Sequence, residues 1–384
     1  MKEYSYWLDT LPSAGTGTQN LQLGTTHDER LPTRVDVAIV GAGYTGLSAA
    51  RHLARAGASV AVFEREQVGW GASSRNGGQV LTGMKLEASA LVDRFGERRA
   101  RRLFDVACDA IAELESLIVQ ESIDCDYERS GHICAAFKPS HFEGFREEQT
   151  LLARVFGHRV RLVPRAEQRA EIGSDAYHGL LVDERSGALN PAQYVRGLAD
   201  VAARAGAAIV TGVGVTSVAR QGTGWQVRTT AGDVDARDVL MATNGYTDDA
   251  SPALQRRFVP VGSYIIATEP LDPPVAASLL PQGRMAFDSK HFLYYFRVTA
   301  DRRLLFGGRA EFGRPNPETT RRAADPAAGD DGDLSGTWRH AHRLRLGRQR
   351  RLHARPDAAR RAPRRRLLCR RLLRPRHRDG DLSR

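Results

Sequence analysis

The chain has 384 residues, enough for one large domain or two ordinary ones with a sizeable core. Its 41% hydrophobic and 26% charged residues are those of a soluble globular protein, which excludes a disordered or fibrous chain. The formal net charge of +11 invites an acidic partner, but the final 59 residues, from Pro326, hold 18 arginines, no lysine and six aspartates, so the body of the chain is close to neutral.

The opening "MKEYSYWLDTLPSAG" has no apolar h-region and does not read as a secretory signal. No apolar run reaches the ~18 residues a span requires. Cys108, Cys125, Cys134 and Cys369 show neither CxxC nor metal-ligand spacing, so no metal is expected and a reducing, cytoplasmic setting is.

The clearest motif starts at Val35. "VDVAIV" reads as a buried parallel strand, "GAGYTG" supplies Gly41, Gly43 and Gly46 in G-x-G-x-x-G spacing, and "LSAARHLARAG" is a helix ending at Gly57. "SVAVFE" is a second strand ending in Glu64. Gly41 permits the tight turn, Gly43 lets a pyrophosphate approach the backbone, and Gly46 lets helix pack on strand. The helix N-terminus offers free N–H groups to the phosphates. Glu64, 18 residues after Gly46, is spaced to accept hydrogen bonds from a ribose hydroxyl. This is a dinucleotide site, with Ala42 and Arg65 beside its glycines and acid. The glycines alone do not choose between NAD and FAD. The next loop, "REQVGWGASSRNGGQV", is suited to wrapping backbone amides around a second part of a long cofactor.

With that loop the chain resembles the D-amino-acid-oxidase/glycine-oxidase superfamily of FAD-dependent amine oxidoreductases. "GWGASSRNGGQV" is similar to the variant in gamma-glutamylputrescine oxidase-like members, and "SYWLDT" to their N-terminal extension. The resemblance implies diphosphate binding by Gly41, Gly43 and Gly46, and adenosine-ribose binding by Glu64. It also implies that Ser73, Ser74, Asn76, Gly77 and Gly78 lie near the flavin side of the cofactor.

Further along, residues 97–120 have helical spacing with Leu103, Val106, Ala107, Ile111, Leu114 and Leu117 on a core-facing side, and Cys108 reads as a small core residue. "CDYERSGHICAAF" reads as strand, where His132 is a catalytic base, a flavin attachment point or, by the blander reading, structural. Asn190 and Pro191 start a helix running to Gly206. "DVDARDVLMATNGYT" is a strand leading into a turn. The resemblance implies an adenine contact at Val215 and a diphosphate contact at Thr243, Asn244 and Gly245.

"FVPVGSYIIATEPL" and "FLYYFRVTADRRLLFGGR" read as antiparallel strands. In the resembled family such strands roof the flavin. Tyr264, Tyr294 and Tyr295 line an amine pocket there or merely pack the sheet. Lys290 and Arg297 either meet a substrate carboxylate and assist oxygen reduction, or are exposed strand-end cations.

The expected fold is α/β: a doubly wound FAD-binding domain (31–120 and 180–257) interleaved with a mixed, largely antiparallel substrate domain (121–179 and 258–312). An extension (1–30) precedes them, and 313–325 starts a C-terminal segment of the FAD domain. The implied reaction oxidises a C–N bond of an amine or amino acid by hydride transfer to flavin, with oxygen or another acceptor taking the electrons. The protein's part is position and electrostatics.

From Pro326 onward the chain lacks Ile, Val, Phe, Tyr, Met, Lys, Glu and Asn, and cannot build a core. A basic arm that stacks bases mixes lysine and aromatic residues with its arginines, so nucleic acid is not expected as a partner. Codons compatible with this tail, read one base later, can encode a segment resembling the family's closing glycine turn. The expectation is a frameshift near residue 325, with a catalytically defective flavoprotein as the alternative function and nucleic-acid binding through the arginine-rich tail as a lesser one.

Overall fold

A computed structural model describes residues 5–11, 31–258 and 262–311, without the side chains at 262, 264 and 309–311. The extension from 12 to 30 and everything after 311, including Cys369 and the arginine-rich tail, lie outside the described residues.

A short 3-10 turn, Tyr6–Thr10, comes first. The chain then runs β1 (Arg34–Val40), α1 (Tyr44–Arg55), β2 (Val60–Glu64), β3 (Gln79–Val80), α2 (Ala88–Phe95) and α3 (Glu97–Gln120). Next come β4 (His132–Ala135), α4 (Pro139–Leu151), β5 (Arg161–Val163), β6 (Leu180–Asp183) and β7 (Gly187–Ala188). After them follow α5 (Pro191–Arg204), β8 (Ala208–Thr211), β9 (Val215–Gln221), β10 (Gly224–Thr229) and β11 (Gly232–Met241). The last are α6 (Pro252–Gln255), β12 (Gly262–Ala267), α7 (Pro273–Leu279), β13 (Met285–Asp288), β14 (Tyr295–Val298) and β15 (Leu304–Glu311).

The first sheet has the order β8-β2-β1-β11-β10-β9. Its first four strands are parallel, and β10 and β9 continue antiparallel. β1 is apolar because helices cover it: Val37 and Ile39 pack with Leu47 and Ala50 of α1 and Leu198 and Ala202 of α5. The chain moves one way from β1 to β2 and β8, while β11 lies on its other side. That reversal opens a crevice beyond the carboxyl ends of the strands. Asn190 caps α5 with its side-chain oxygen on the N–H groups of Ala192 (3.1 Å) and Gln193 (3.2 Å). Glu121, at the end of α3, gathers Arg51, Arg55 and Arg204, and so ties α3 to α1 and α5.

The second sheet, β12-β15-β14-β13-β4-β6-β5, is antiparallel except where β13 meets β4. Its core joins Ile133, Leu180, Val182, Ala286, Phe296 and Leu304 to Leu279 of α7. A two-stranded ribbon, β3 with β7, links the loop after β2 to the start of α5. The fold is the expected mixed α/β architecture.

Two expectations are corrected, and at His132 the structural alternative is the one that fits. The strand expected over 125–137 is only β4; before it the ladder is reduced to one isolated bridge, Glu128 with Ala188, among the described residues. The buried face of α3 is Ala100, Phe104, Ile111 and Leu117, while Val106 is 63% exposed. Val106 stands about 200° around the helix from Phe104, which turns it to solvent. His132 is a core residue: its ring lies 4.1 Å from that of Phe287, its Nε2 has no partner, and burial pushes its pKa down to about 4. A neutral imidazole without a hydrogen-bond partner fits the structural reading.

Candidate functional site

A cleft of about 330 Å³ lies beyond the carboxyl ends of β1, β2 and β11. It is lined by the β1–α1 turn, the end of β2, the loop from Gly69 to Asn76, the start of β9 and the turn after β11.

The glycines each answer a contact. Gly41 has φ +107°, and a Cβ there would stand 2.9 Å from the Ala242 carbonyl oxygen. A Cβ on Gly46 would strike the Gly41 carbonyl, so close packing of helix on turn depends on its absence. Gly43 differs from expectation. The space its Cβ would take belongs to the Ser73 hydroxyl at 2.9 Å, which accepts the Tyr44 N–H at 3.0 Å. Gly43 itself brings no side chain to cap α1. Part of the helix's first turn is thus capped from the distant loop, and the Ser73 O–H can still donate to an anion.

Glu64 accepts the N–H of Ala42 at 2.9 Å with one carboxylate oxygen and that of Glu66 at 3.0 Å with the other. Both bonds orient the carboxylate at the cleft wall, and each oxygen keeps a lone pair for a ribose hydroxyl. Arg65 also lines the cleft and is neutralised by Asp248, at 2.8 Å.

The loop holds itself. The Asn76 side chain donates to the carbonyls of Ala72 (3.0 Å) and Ser73 (3.3 Å) and accepts the Gly78 N–H (2.8 Å). Gly78 has φ +67°, and a Cβ there would meet the Leu189 carbonyl.

Of the residues expected from sequence, Gly41, Ala42, Gly43, Glu64, Arg65, Ser73, Asn76, Val215, Thr243 and Asn244 come together around the cleft. Gly46, Ser74, Gly77, Gly78 and Gly245 do not line it. Ser74 is fully buried with an unpartnered hydroxyl, and Gly77 lies under the ring of Tyr295. Trp70, Tyr246 and Asp248 line the cleft and were not anticipated. The Arg75 guanidinium sits 4.6 Å over the Trp70 ring, whose other neighbour is Tyr246 at 5.6 Å. The aromatic residue inside "GWGASS" was the available signal.

Neither cation of the second sheet is an exposed strand end. Arg297 is 7% exposed, and its Nη1 donates to the carbonyls of Gly78 (3.1 Å) and Leu189 (3.0 Å). Burial pulls its pKa down to about 10. Lys290 stands 3.6 Å from the Asp288 carboxylate and over the rings of Phe137 (4.0 Å) and Tyr294 (4.7 Å). Neither lines the cleft. Tyr294 packs on Phe306 at 5.2 Å, and Tyr295 packs against Gly77 and Gly307. The side chain of Tyr264 lies outside the described residues. Among the described residues no group of histidine, cysteine and carboxylate side chains could hold a metal, and no helix is long and apolar enough to cross a membrane.

A parallel sheet with a glycine turn, a helix N-terminus capped only in part and an oriented acid at its switch point defines a dinucleotide-binding protein, and the second sheet marks it as a two-sheet flavoprotein fold. The model of the FAD dependent oxidoreductase family (DAO) matches residues 36–380, and the chain belongs to that family. The match continues past residue 325 into the arginine-rich tail. Gamma-glutamylputrescine oxidoreductase of Escherichia coli (strain K12) is 35% identical over 292 residues, 76% of this chain and 68% of that protein. Across three curated relatives the chain spans about two thirds of their length. Among solved structures, glycine oxidase from Geobacillus kaustophilus superposes with a TM-score of 0.60 at 23% identity, covering 74% of this chain and 73% of that one. L-Proline dehydrogenase from P. horikoshii gives 0.60 at 18% identity, over 77% and 76%. The cofactor of the family is FAD.

Proposed function

We propose that this chain holds FAD in the cleft and oxidises the C–N bond of an amine or amino acid, with gamma-glutamylputrescine or a related amine as substrate. The observation that carries the cofactor half is the paired arrangement of Glu64 on the Ala42 N–H and Ser73 on the Tyr44 N–H. It supports an acceptor for a ribose at Glu64 and a hydroxyl donor for a diphosphate at Ser73, both beside one glycine turn. FAD, when bound, supplies the two-electron chemistry. The residues would divide the work of holding it: Glu64 the adenosine ribose, the turn 41–43 and Ser73 the diphosphate, Val215 the adenine, and Thr243 and Asn244 the opposite wall. The amine half is supported by the 35% identity to an enzyme whose name specifies gamma-glutamylputrescine. The test is anaerobic: bleaching of the flavin absorbance by gamma-glutamylputrescine, with putrescine and glycine as comparators. Bleaching by none of them would refute the amine reading. Activity should rise with pH through the pKa of the bound amine, because the neutral amine's lone pair assists hydride loss.

A second reading rests on the composition after Pro326. A frame change near codon 325 would leave a flavoprotein without its closing segment, which purifies without flavin. Resequencing the DNA there decides it, since an intact frame in independent reads removes this reading.

A further inference from the structure

We propose that the N-terminal segment 5–11 is a latch for the cofactor cleft: its docking holds the loop from Gly71 to Gly78 in the form that completes the cradle, so docking and FAD binding strengthen one another.

The segment makes few contacts, and they converge. The Ser5 hydroxyl donates to the Ser74 carbonyl. The Trp7 indole N–H donates to the Asn76 carbonyl at 2.9 Å. Thr10 accepts a bond from Asn190, the cap of α5, at 2.8 Å. On the other side the Tyr6 hydroxyl donates to Asp301 at 3.1 Å, and the Trp7 ring, 4% exposed, packs with Ala192, Leu305 and Ile265. Seven residues therefore bridge the cofactor loop, the start of α5 and the second sheet.

From the latch to the cradle the path is short. Trp7 holds the Asn76 backbone, the Asn76 side chain holds the carbonyl of Ser73, and the Ser73 hydroxyl caps the helix at Tyr44. Beneath the loop, Arg297 clamps Gly78 and Leu189, and the Trp7 ring covers its guanidinium at 5.7 Å. With the latch away, that cation meets water, and the loop loses two of its outward anchors. A ligand that needs the ordered loop then binds more weakly, and by linkage the ligand favours the docked latch equally.

The test compares Trp7→Phe, which keeps the ring and loses the indole donor, with Ser5→Ala and with deletion of residues 1–11. The measurements are the FAD dissociation constant of the refolded apoprotein and amide hydrogen exchange across 71–78. One lost hydrogen bond corresponds to FAD binding weakened about tenfold in Trp7→Phe, and by about threefold in Ser5→Ala, since Ser5 is less buried than Trp7. Deletion should weaken it by roughly a hundredfold or more, since several such bonds go together. Exchange at 71–78 should speed up in each variant without FAD and slow when FAD is added. An unchanged FAD dissociation constant in both point variants, with only the melting temperature lowered, would make Trp7 a packing residue and overturn the proposal. Faster exchange confined to residues 5–11 would do the same. Neither readout depends on which amine is oxidised.

Discussion

The two sheets solve the problem of charge in opposite ways. Around the first, the cofactor cleft is made largely of backbone: glycine turns, a helix end capped only by Ser73 and a carboxylate held by two N–H groups. The second buries charged side chains on specific partners, carboxylates for some and, for Arg297, the carbonyls of Gly78 and Leu189. Arg284 bonds Glu171 at 2.8 Å and Glu184 through both terminal nitrogens, and Asp183 holds His158 at 3.1 Å together with Thr82. Backbone donors survive any substitution but proline, yet can be blocked by a methyl group. Buried pairs tolerate volume changes but not the loss of one partner. The first sheet should therefore be fragile to added atoms, and the second to removed charge.

The largest effect should come from the second sheet. Arg284→Ala leaves the buried Glu171 carboxylate facing Arg161 alone, and should cost about 4 kcal/mol in urea unfolding. FAD affinity of the folded fraction should stay within twofold. A fall in affinity equal to the fall in stability would end the contrast.

His132 gives the next effect, read through pH. Its folded pKa, about 4, lies below the unfolded value of 6.5, so the unfolded chain binds the extra proton between them. Stability is whole above pH 6.5 and drains as pH falls toward 4, about 2 kcal/mol of it between pH 7 and 5. His132→Phe should flatten that slope in urea melts taken at several pH values. A slope equal to the parent's would place the titration elsewhere.

Gly46→Ala tests the first sheet, since the added methyl strikes the Gly41 carbonyl. Overpacking there should cost about 2 kcal/mol and, unlike Arg284→Ala, remove bound flavin. The smallest expected change is Glu64→Gln. It keeps the shape, replaces one acceptor oxygen by an amide that faces an N–H, and should weaken FAD by about 1 kcal/mol in equilibrium titration with little change in melting temperature.

The same difference explains what could be read in advance. The strand-glycine-helix-strand-acid order of residues 35–64 needs its residue types at fixed spacing along one stretch of chain, because adjacent elements build that part of the cleft. Asn190 and Pro191 announced α5 for the same local reason. The second sheet was legible only in part, in the antiparallel strands β12, β14 and β15. β4 is parallel to β13 across a separation of about 150 residues, and β13, β5 and β6 are too short to show alternation. Arg297 and Lys290 read as exposed because a cation in a strand usually is. Their burial depends on carbonyls, a carboxylate and rings brought from other segments.

Sequence alone determined the dinucleotide turn with its glycines, the acid at the end of β2 and the strand-helix-strand order around them. Each rests on a local periodicity or spacing set by backbone geometry. Tertiary structure decided that Ser73, not open space, stands against Gly43, that His132 is a silent core residue, and that Trp7 reaches the cofactor loop from 69 positions away. Those outcomes depend on which distant side chains share a small volume, and packing of that kind leaves no period in the chain.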